Sequence, residues 1–114
     1  MKINEIKNLS GTDFEKAVWL EISKIPYGEI STYKQIALKL SNKHASRAVA
    51  NACGKNPMIE IIPCHRVLRS DGFLGGYSGH GGIKKKKSLL EHEGHKFDHK
   101  LKIILWYVLK IQHR

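Results

Sequence analysis

The chain is short of several things that place a protein quickly. Its 114 residues include two cysteines, Cys53 and Cys64, three prolines and ten acidic side chains. Two cysteines cannot build the disulfide framework of a small secreted domain, and no basic-then-apolar leader opens the sequence. A reducing intracellular compartment is therefore expected, cytoplasmic or nuclear in a eukaryote, with both thiols free. The longest apolar run, Ile103 to Leu109, falls far short of the roughly 20 residues that span a bilayer, so no membrane partner is expected. A second core has no room, since one domain usually takes about 100–150 residues. Internal repeats and linkers are also missing.

The scarcity of acids is uneven. Lys and Arg total 20 against ten acids, for a net charge of +10, a field that draws polyanions. Between Ile30 and Ile59 there is no Asp or Glu, while Lys34, Lys39, Lys43, Arg47 and Lys55 fall inside that window. Charge alone fits a solvated Lys-rich face as well as a nucleic-acid surface. The nucleic-acid reading gains because the same window reads as a helix-turn-helix.

Residues 1–11 read as an irregular or strand-like lead. Thr12-Asp13-Phe14-Glu15 matches a capping box, and Phe14, Ala17, Val18, Ile22 and Ile25 follow at helical spacing up to the stop at Pro26-Tyr27-Gly28. A second capping box, Thr32 to Gln35, opens a short helix with Ile36, Ala37 and Leu40 inward. After Ser41-Asn42-Lys43 a third helix is predicted from about Ala45 to Cys53, closed by Gly54 as a C′ glycine. Its small inner face (Ala45, Ala48, Val49, Ala52) allows close helix packing. Two short helices with a tight turn fit a helix-turn-helix, and equally a plain three-helix core. Ile59 to Ile62 reads as a short strand closed by Pro63. Gly75 to Gly82 is a glycine-dense loop, open to close ligand approach or simply a surface hairpin. A last helix is predicted from about Ile83 to Glu93, ending at Gly94, with Lys84 to Lys87 read as a solvated run.

Pro63-Cys64-His65-Arg66 is the sharpest feature. A thiol must be a thiolate to act as a nucleophile, and cationic neighbours lower its pKa from about 8.5. On an extended chain Cys64 and His65 point to opposite sides, so His65 is expected to act on the thiol through a water. Cys53, in a small-residue helix without such neighbours, reads as an inert buried thiol.

These residues carry a resemblance. Pro63 to Val67, preceded by Gly54-Lys55-Asn56-Pro57 and Ser46-Arg47-Ala48-Val49, and followed by Gly76-Tyr77-Ser78-Gly79 and Leu89 to Gly94, resembles the O6-alkylguanine-DNA alkyltransferase family. Gly11 to Phe14 and Ile25 to Glu29 look like it too, so the likeness runs from about Gly11 to Lys96. It implies a mainly α fold with a small β element. Residues 1–94 would form a winged helix-turn-helix-like catalytic domain; a C-terminal amphipathic helix over 95–114 is expected from hydrophobic spacing alone.

The resemblance also implies direct damage reversal on double-stranded DNA containing O6-alkylguanine. Cys64 would take the alkyl group once, because a thioether offers water no electrophilic carbonyl. His65 would relay the thiol proton, Glu93 would hold the imidazole, Tyr33 would help protonate the leaving guanine, and Asn56 would brace the turn before the nucleophile. Arg47 would fill the stack left by a flipped nucleotide, with Ser46, Lys55 and Arg66 beside it on the DNA and substrate side. Tyr77, Ser78 and Gly79 would wall the pocket. Taken without the resemblance, Tyr33 reads as an ordinary helix residue and Glu93 as a surface charge. No metal and no cofactor are implied, and a monomer is expected. The alternative is a lesion-binding alkyltransferase-like protein without chemistry, in which the cysteine is replaced, usually by tryptophan.

Residues 95–114 lie beyond the likeness. Leu101, Ile104, Leu105, Val108 and Leu109 recur at i, i+3, i+4, i+7 and i+8, which predicts an amphipathic helix. It is expected to dock on the same domain, covering surface that the family's usual N-terminal domain would cover. A dimer contact and a membrane-surface helix are the competing readings.

Overall fold

The computed structural model describes residues 2–77 and 81–104. Five helices and a two-stranded sheet follow in the order α1 (Lys2–Lys7), α2 (Asp13–Ser23), β1 (Ser31–Thr32), α3 (Tyr33–Lys39), α4 (Ser46–Gly54), β2 (Val67–Leu68) and α5 (Gly82–His92), with a single 3₁₀ turn, Cys64–Arg66, before β2. None of the helices among the described residues is long and apolar enough to cross a membrane.

Both capping boxes form. The Thr12 hydroxyl accepts from the Glu15 amide at 3.0 Å while Glu15 accepts from the Thr12 amide at 2.9 Å. Thr32 and Gln35 repeat the exchange at 3.1 Å each way. These reciprocal bonds satisfy amides that the first helical turn leaves unpaired, which is why α2 and α3 begin where the sequence predicts.

Val18, Trp19 and Ile22 of α2 pack with Ile36 and Ala37 of α3 and Val49 and Ala52 of α4 in the main core. The Trp19 indole N–H donates to the Ala52 carbonyl at 2.9 Å, tying α2 to the helix that follows the turn. The helix-turn-helix pair α3–α4 thus stands on α2.

Four local expectations are corrected. The lead is helical, because Ile6 and Leu9 gain burial in the main core and tertiary packing outweighs the poor prospects of so short a helix. Gly54 is the last residue of α4 rather than a left-handed cap, and Ala48 is exposed rather than inward. Residues 59–62 make a turn, with the Ile61 and Ile62 amides both donating to the Met58 carbonyl. The strand pairing that a β-branched run could offer is taken instead by β1 and β2, which run parallel with Ser31 opposite Val67.

The fourth correction concerns the tail. Leu101 to Ile104 is not helical: Lys102 bridges Phe73 and Ile103 bridges Phe97, both antiparallel. Ile103 is buried with Leu68, Leu74 and Leu90 in a second, smaller cluster. The predicted tail helix beyond residue 104 lies outside the described residues.

Candidate active site

Pro63 sets up the site. The amide of Cys64 donates to the Ile62 carbonyl at 2.8 Å and that of Arg66 to the Pro63 carbonyl at 2.9 Å, winding Cys64, His65 and Arg66 into a 3₁₀ turn. Successive side chains of such a turn diverge by about 120°. Cys64 and His65 are therefore separated by helical rotation, not by the pleat of a strand. Cys64 lines a cleft of about 910 Å³. His65 and Arg66 line a different one of about 470 Å³ with Glu5, Pro26, Tyr27 and Glu60.

The larger cleft brings together Tyr33 from the start of α3, Ser46 and Arg47 from the start of α4, Cys53 from its end, Cys64, and Tyr77 from the glycine-rich loop. Gly75 makes the approach of that loop possible. Its φ is +72°, and a Cβ there would stand 3.0 Å from the Tyr33 hydroxyl and 3.2 Å from Arg69 Cγ.

Asn56 lies under Cys64. Its amide donates to Cys64 Sγ at 3.0 Å and to the Ile62 carbonyl at 2.7 Å, while its Oδ1 accepts from the Met58 amide at 2.8 Å. One buried side chain thus ties the turn together and touches the sulfur.

Lys86, which the sequence places in a solvated run, is fully buried, with 0% exposure. Glu93, Leu90 and Lys86 stand at i, i−3 and i−7, so they share the inner face of α5; that spacing is the signal that could have placed the lysine inward. Its ammonium donates to the Val67 carbonyl at 2.8 Å and the Gly76 carbonyl at 3.1 Å, and stands 5.9 Å from the Tyr33 ring centre. Burial pushes its pKa down to about 8, against the pull of the two thiols.

The Cys64 thiol is held below its ordinary value. The Cys53 thiol as hydrogen-bond partner contributes most, ahead of the opposing effect of burial, and Asn56 and the Lys86 charge add to it. Cys53, the other thiol of that pair, is pushed up. Burial raises the Tyr33 hydroxyl to about 12, which keeps it a proton donor.

On the other side, His65 Nε2 lies 2.7 Å from a Glu93 carboxylate oxygen. Glu93 also accepts from Arg66 Nε at 3.0 Å and from the Gly28 amide at 2.9 Å. Gly94, with φ +100°, ends α5 just after it and lets the chain turn away. Burial works against the Glu93 charge, but the Gly28 amide, His65 and Arg66 outweigh it and hold the carboxyl below the usual range. Burial also lowers His65, so its imidazole is neutral at pH 7. A carboxylate on Nε2 fixes the proton there and leaves the buried Nδ1 as the acceptor.

The sequence-predicted residues thus divide. Cys64, Tyr33, Ser46, Arg47 and Tyr77 share the cleft; Asn56 supports it; His65 and Glu93 pair behind it. Arg66 was expected on the DNA side, but Glu93, the Ile25 carbonyl and the Tyr27 ring occupy its guanidinium. Lys55 reaches Glu15 of α2 at 3.2 Å rather than the cleft. Ser78 and Gly79 lie outside the described residues.

Residues 13–95 match the family model for the DNA-binding domain of 6-O-methylguanine DNA methyltransferase. A methylated-DNA–protein-cysteine methyltransferase of Methanosarcina barkeri is 51% identical over 83 residues, 73% of this chain and 51% of the relative. One of Haemophilus influenzae is 47% identical over 73% of this chain and 45% of its own length. The chain therefore spans about half the length of these curated relatives. Among solved structures, Mycobacterium tuberculosis OGT in complex with DNA superposes with a TM-score of 0.71 at 48% identity, covering 75% of this chain and 52% of that one. Schizosaccharomyces pombe Atl1 bound to damaged DNA containing O6-carboxymethylguanine gives 0.69 at 28% identity, over 83% of this chain and 89% of that one. The likeness covers the helix-turn-helix, the 3₁₀ turn and α5 together, and the chain belongs to the 6-O-methylguanine DNA methyltransferase family.

Proposed function

We propose that the chain repairs duplex DNA by transferring an alkyl group from guanine O6 to Cys64, once per molecule. The carrying observation is the placement of Cys64: a thiol of lowered pKa in an open cleft, bonded by Asn56 and near the buried Lys86 charge. The thiolate attacks the alkyl carbon in line, forming the S–C bond as the C–O6 bond breaks. The electron pair leaves with guanine. Tyr33, still protonated, donates to the departing base and helps neutralise it. Before attack, the thiol proton passes through a water to neutral His65 Nδ1, while Glu93 on Nε2 stabilises the imidazolium that results.

An O6 carbon stacked in a duplex is out of reach, so the nucleotide is flipped into the cleft at a cost of a few kcal/mol. α4 enters the minor groove, and Arg47 at its start holds the gap. The acid-free basic window supports this docking face. No metal or cofactor takes part, the protein acts as a monomer, and a DNA substrate implies the cytoplasm, or the nucleus in a eukaryote.

The coverage of Atl1 favours a second reading, lesion binding without chemistry. Cys at position 64 argues against it. Intact-mass measurement after mixing with O6-methylguanine duplex decides: a gain of one methyl on Cys64, never two, is expected. Tight binding with no mass gain would establish the second reading instead. Arg47→Ala should slow reaction with duplex but not with free O6-alkylguanine base, and equal losses on both would make Arg47 merely structural.

A further inference from the structure

The family match stops at residue 95, and the chain beyond it returns to the cleft. The Leu74 amide donates to the Leu101 carbonyl at 3.2 Å, and the Ile103 amide to the Gly72 carbonyl at 2.9 Å. Asp98 folds the intervening turn. Its carboxylate accepts from the Lys100 amide at 2.9 Å and the Lys102 amide at 3.0 Å, and its carbonyl accepts from the Leu101 amide at 3.0 Å. Leu101 adopts φ +67°, a conformation costly for a leucine, and is packed against the cluster of Leu68, Leu74, Leu90 and Ile103. These bonds fix where the turn points: Lys100 and Leu101 line the same cleft as Arg47 and Cys64.

Among the described residues, the basic side chains lining that cleft are Arg47, Arg69 and Lys100. Arg69 is paired with Asp71 at 2.7 Å, which leaves Arg47 and Lys100 to meet an anion. Arg47 belongs to α4. Lys100 comes from a separate, rigidly bonded segment. We propose that the 98–101 turn is a second DNA-backbone contact, in which Lys100 takes a phosphate of the strand carrying the extruded guanine while α4 occupies the groove. Asp98 is its positioning residue. The proposal rests on the repair reading, because the cleft is taken to receive a flipped nucleotide.

Titrating duplex affinity against salt tests it, with methyl transfer from O6-methylguanine duplex to the parent chain as a parallel readout. Lys100→Gln should weaken duplex binding roughly fivefold near physiological salt and flatten the log–log salt slope by about 0.9, one phosphate contact. Lys84→Gln removes the same charge from an exposed site on α5 outside the cleft lining, and should leave slope and affinity nearly unchanged. Asp98→Ala gives the sharpest arm, since loss of a negative charge alone would tighten DNA binding, whereas loss of the turn should weaken it. Lys100→Gln matching Lys84→Gln, or a tighter Asp98→Ala, would overturn the proposal. Failure of the parent chain to gain a methyl from O6-methylguanine duplex would sink the repair reading instead, and the salt slopes would still decide the phosphate contact.

Discussion

Cys53 and Cys64 are 7% and 6% exposed and line one cleft, yet their surroundings push the two thiols in opposite directions. Cys53 sits in the last turn of α4, where the helix presents partial negative charge and no orphan amides. Its protonated form is favoured as donor to its neighbour. Cys64 sits on a 3₁₀ turn with the Asn56 amide on its sulfur and the Lys86 charge close by. Burial therefore does not decide thiol acidity here. Donors and a fixed cation do, the donors coming from the end of α4 and the turn after it and the cation from α5.

The harshest way to break that comparison is to exchange the roles. Cys64→Ser should abolish alkyl transfer altogether, read as no mass gain on either cysteine, whereas Cys53→Ser should still accept one alkyl group. Transfer to Cys53 in the Cys64→Ser protein would show that the two environments are interchangeable.

Glu93→Gln is next in size. The imidazole loses the charge that stabilises its protonated form, and the rate should fall on the order of 10²-fold, as for loss of general acid–base help. Arg66, largely buried, loses its partner as well, so stability should drop by about 3 kcal/mol. The acid limb of stability has a definite sign. His65 and Glu93 both lie below their ordinary values of 6.5 and 4.5, so the unfolded chain takes up each proton first as the pH falls. The contribution of these two groups to stability is full above pH 6.5 and declines through the His65 and then the Glu93 range. Thermal melts across pH should lose the lower part of that decline in Glu93→Gln; a melting temperature unaffected by either acid or substitution would contradict the pairing.

Much of this was legible in the sequence because it is written locally. Two capping boxes fix the starts of α2 and α3, Gly94 fixes the end of α5, and Pro63-Cys64-His65-Arg66 identifies the nucleophile. What escaped is set by tertiary neighbours. Lys86 reads as one of four consecutive lysines until α5 is docked and its inner face is known. Cys53 looks inert until α4 is laid against the 3₁₀ turn. Ile59 to Ile62 has the composition of a strand but no partner to pair with, and Leu101 to Ile104 has helical spacing that the bridges to Phe73 and Phe97 override.

Lys86→Met sharpens the comparison from the side of charge. Removing the ammonium should slow transfer roughly tenfold at neutral pH, since an interaction worth about 1.4 kcal/mol to the thiolate is lost. The same substitution has a stability signature. Lys86 is held down to about 8 in the folded chain against an ordinary 10.5. At this lysine the unfolded chain binds more protons between these values, so its contribution to stability rises with pH there, while the raised Cys53 and Tyr33 groups contribute in the opposite direction. Urea melts at pH 8 and pH 10.5 should therefore show a less favourable change with pH in Lys86→Met than in the parent chain; an identical change in both would mean that Lys86 does not carry it.

Cys53→Ala tests the comparison at its finest. A thiol S–H is a weak donor, and a small substitution leaves Asn56 and Lys86 in place around Cys64. The loss should cost under about 1 kcal/mol, or roughly threefold in rate at neutral pH. The direction is more informative than the size. Without the donor from Cys53 the Cys64 thiolate is less favoured, so the rise in rate with pH should move to higher pH while the plateau rate stays the same. Cys53→Ser restores an O–H donor in nearly the same place and should return the profile to that of the parent chain. The two substitutions remove the same sulfur, and serine returns one small atom together with the donor, so a shift in the pH profile that serine reverses follows the donor. Identical profiles for alanine and serine would show that Cys64 owes its acidity to Asn56 and Lys86 alone, and that Cys53 is the inert thiol its helix suggests.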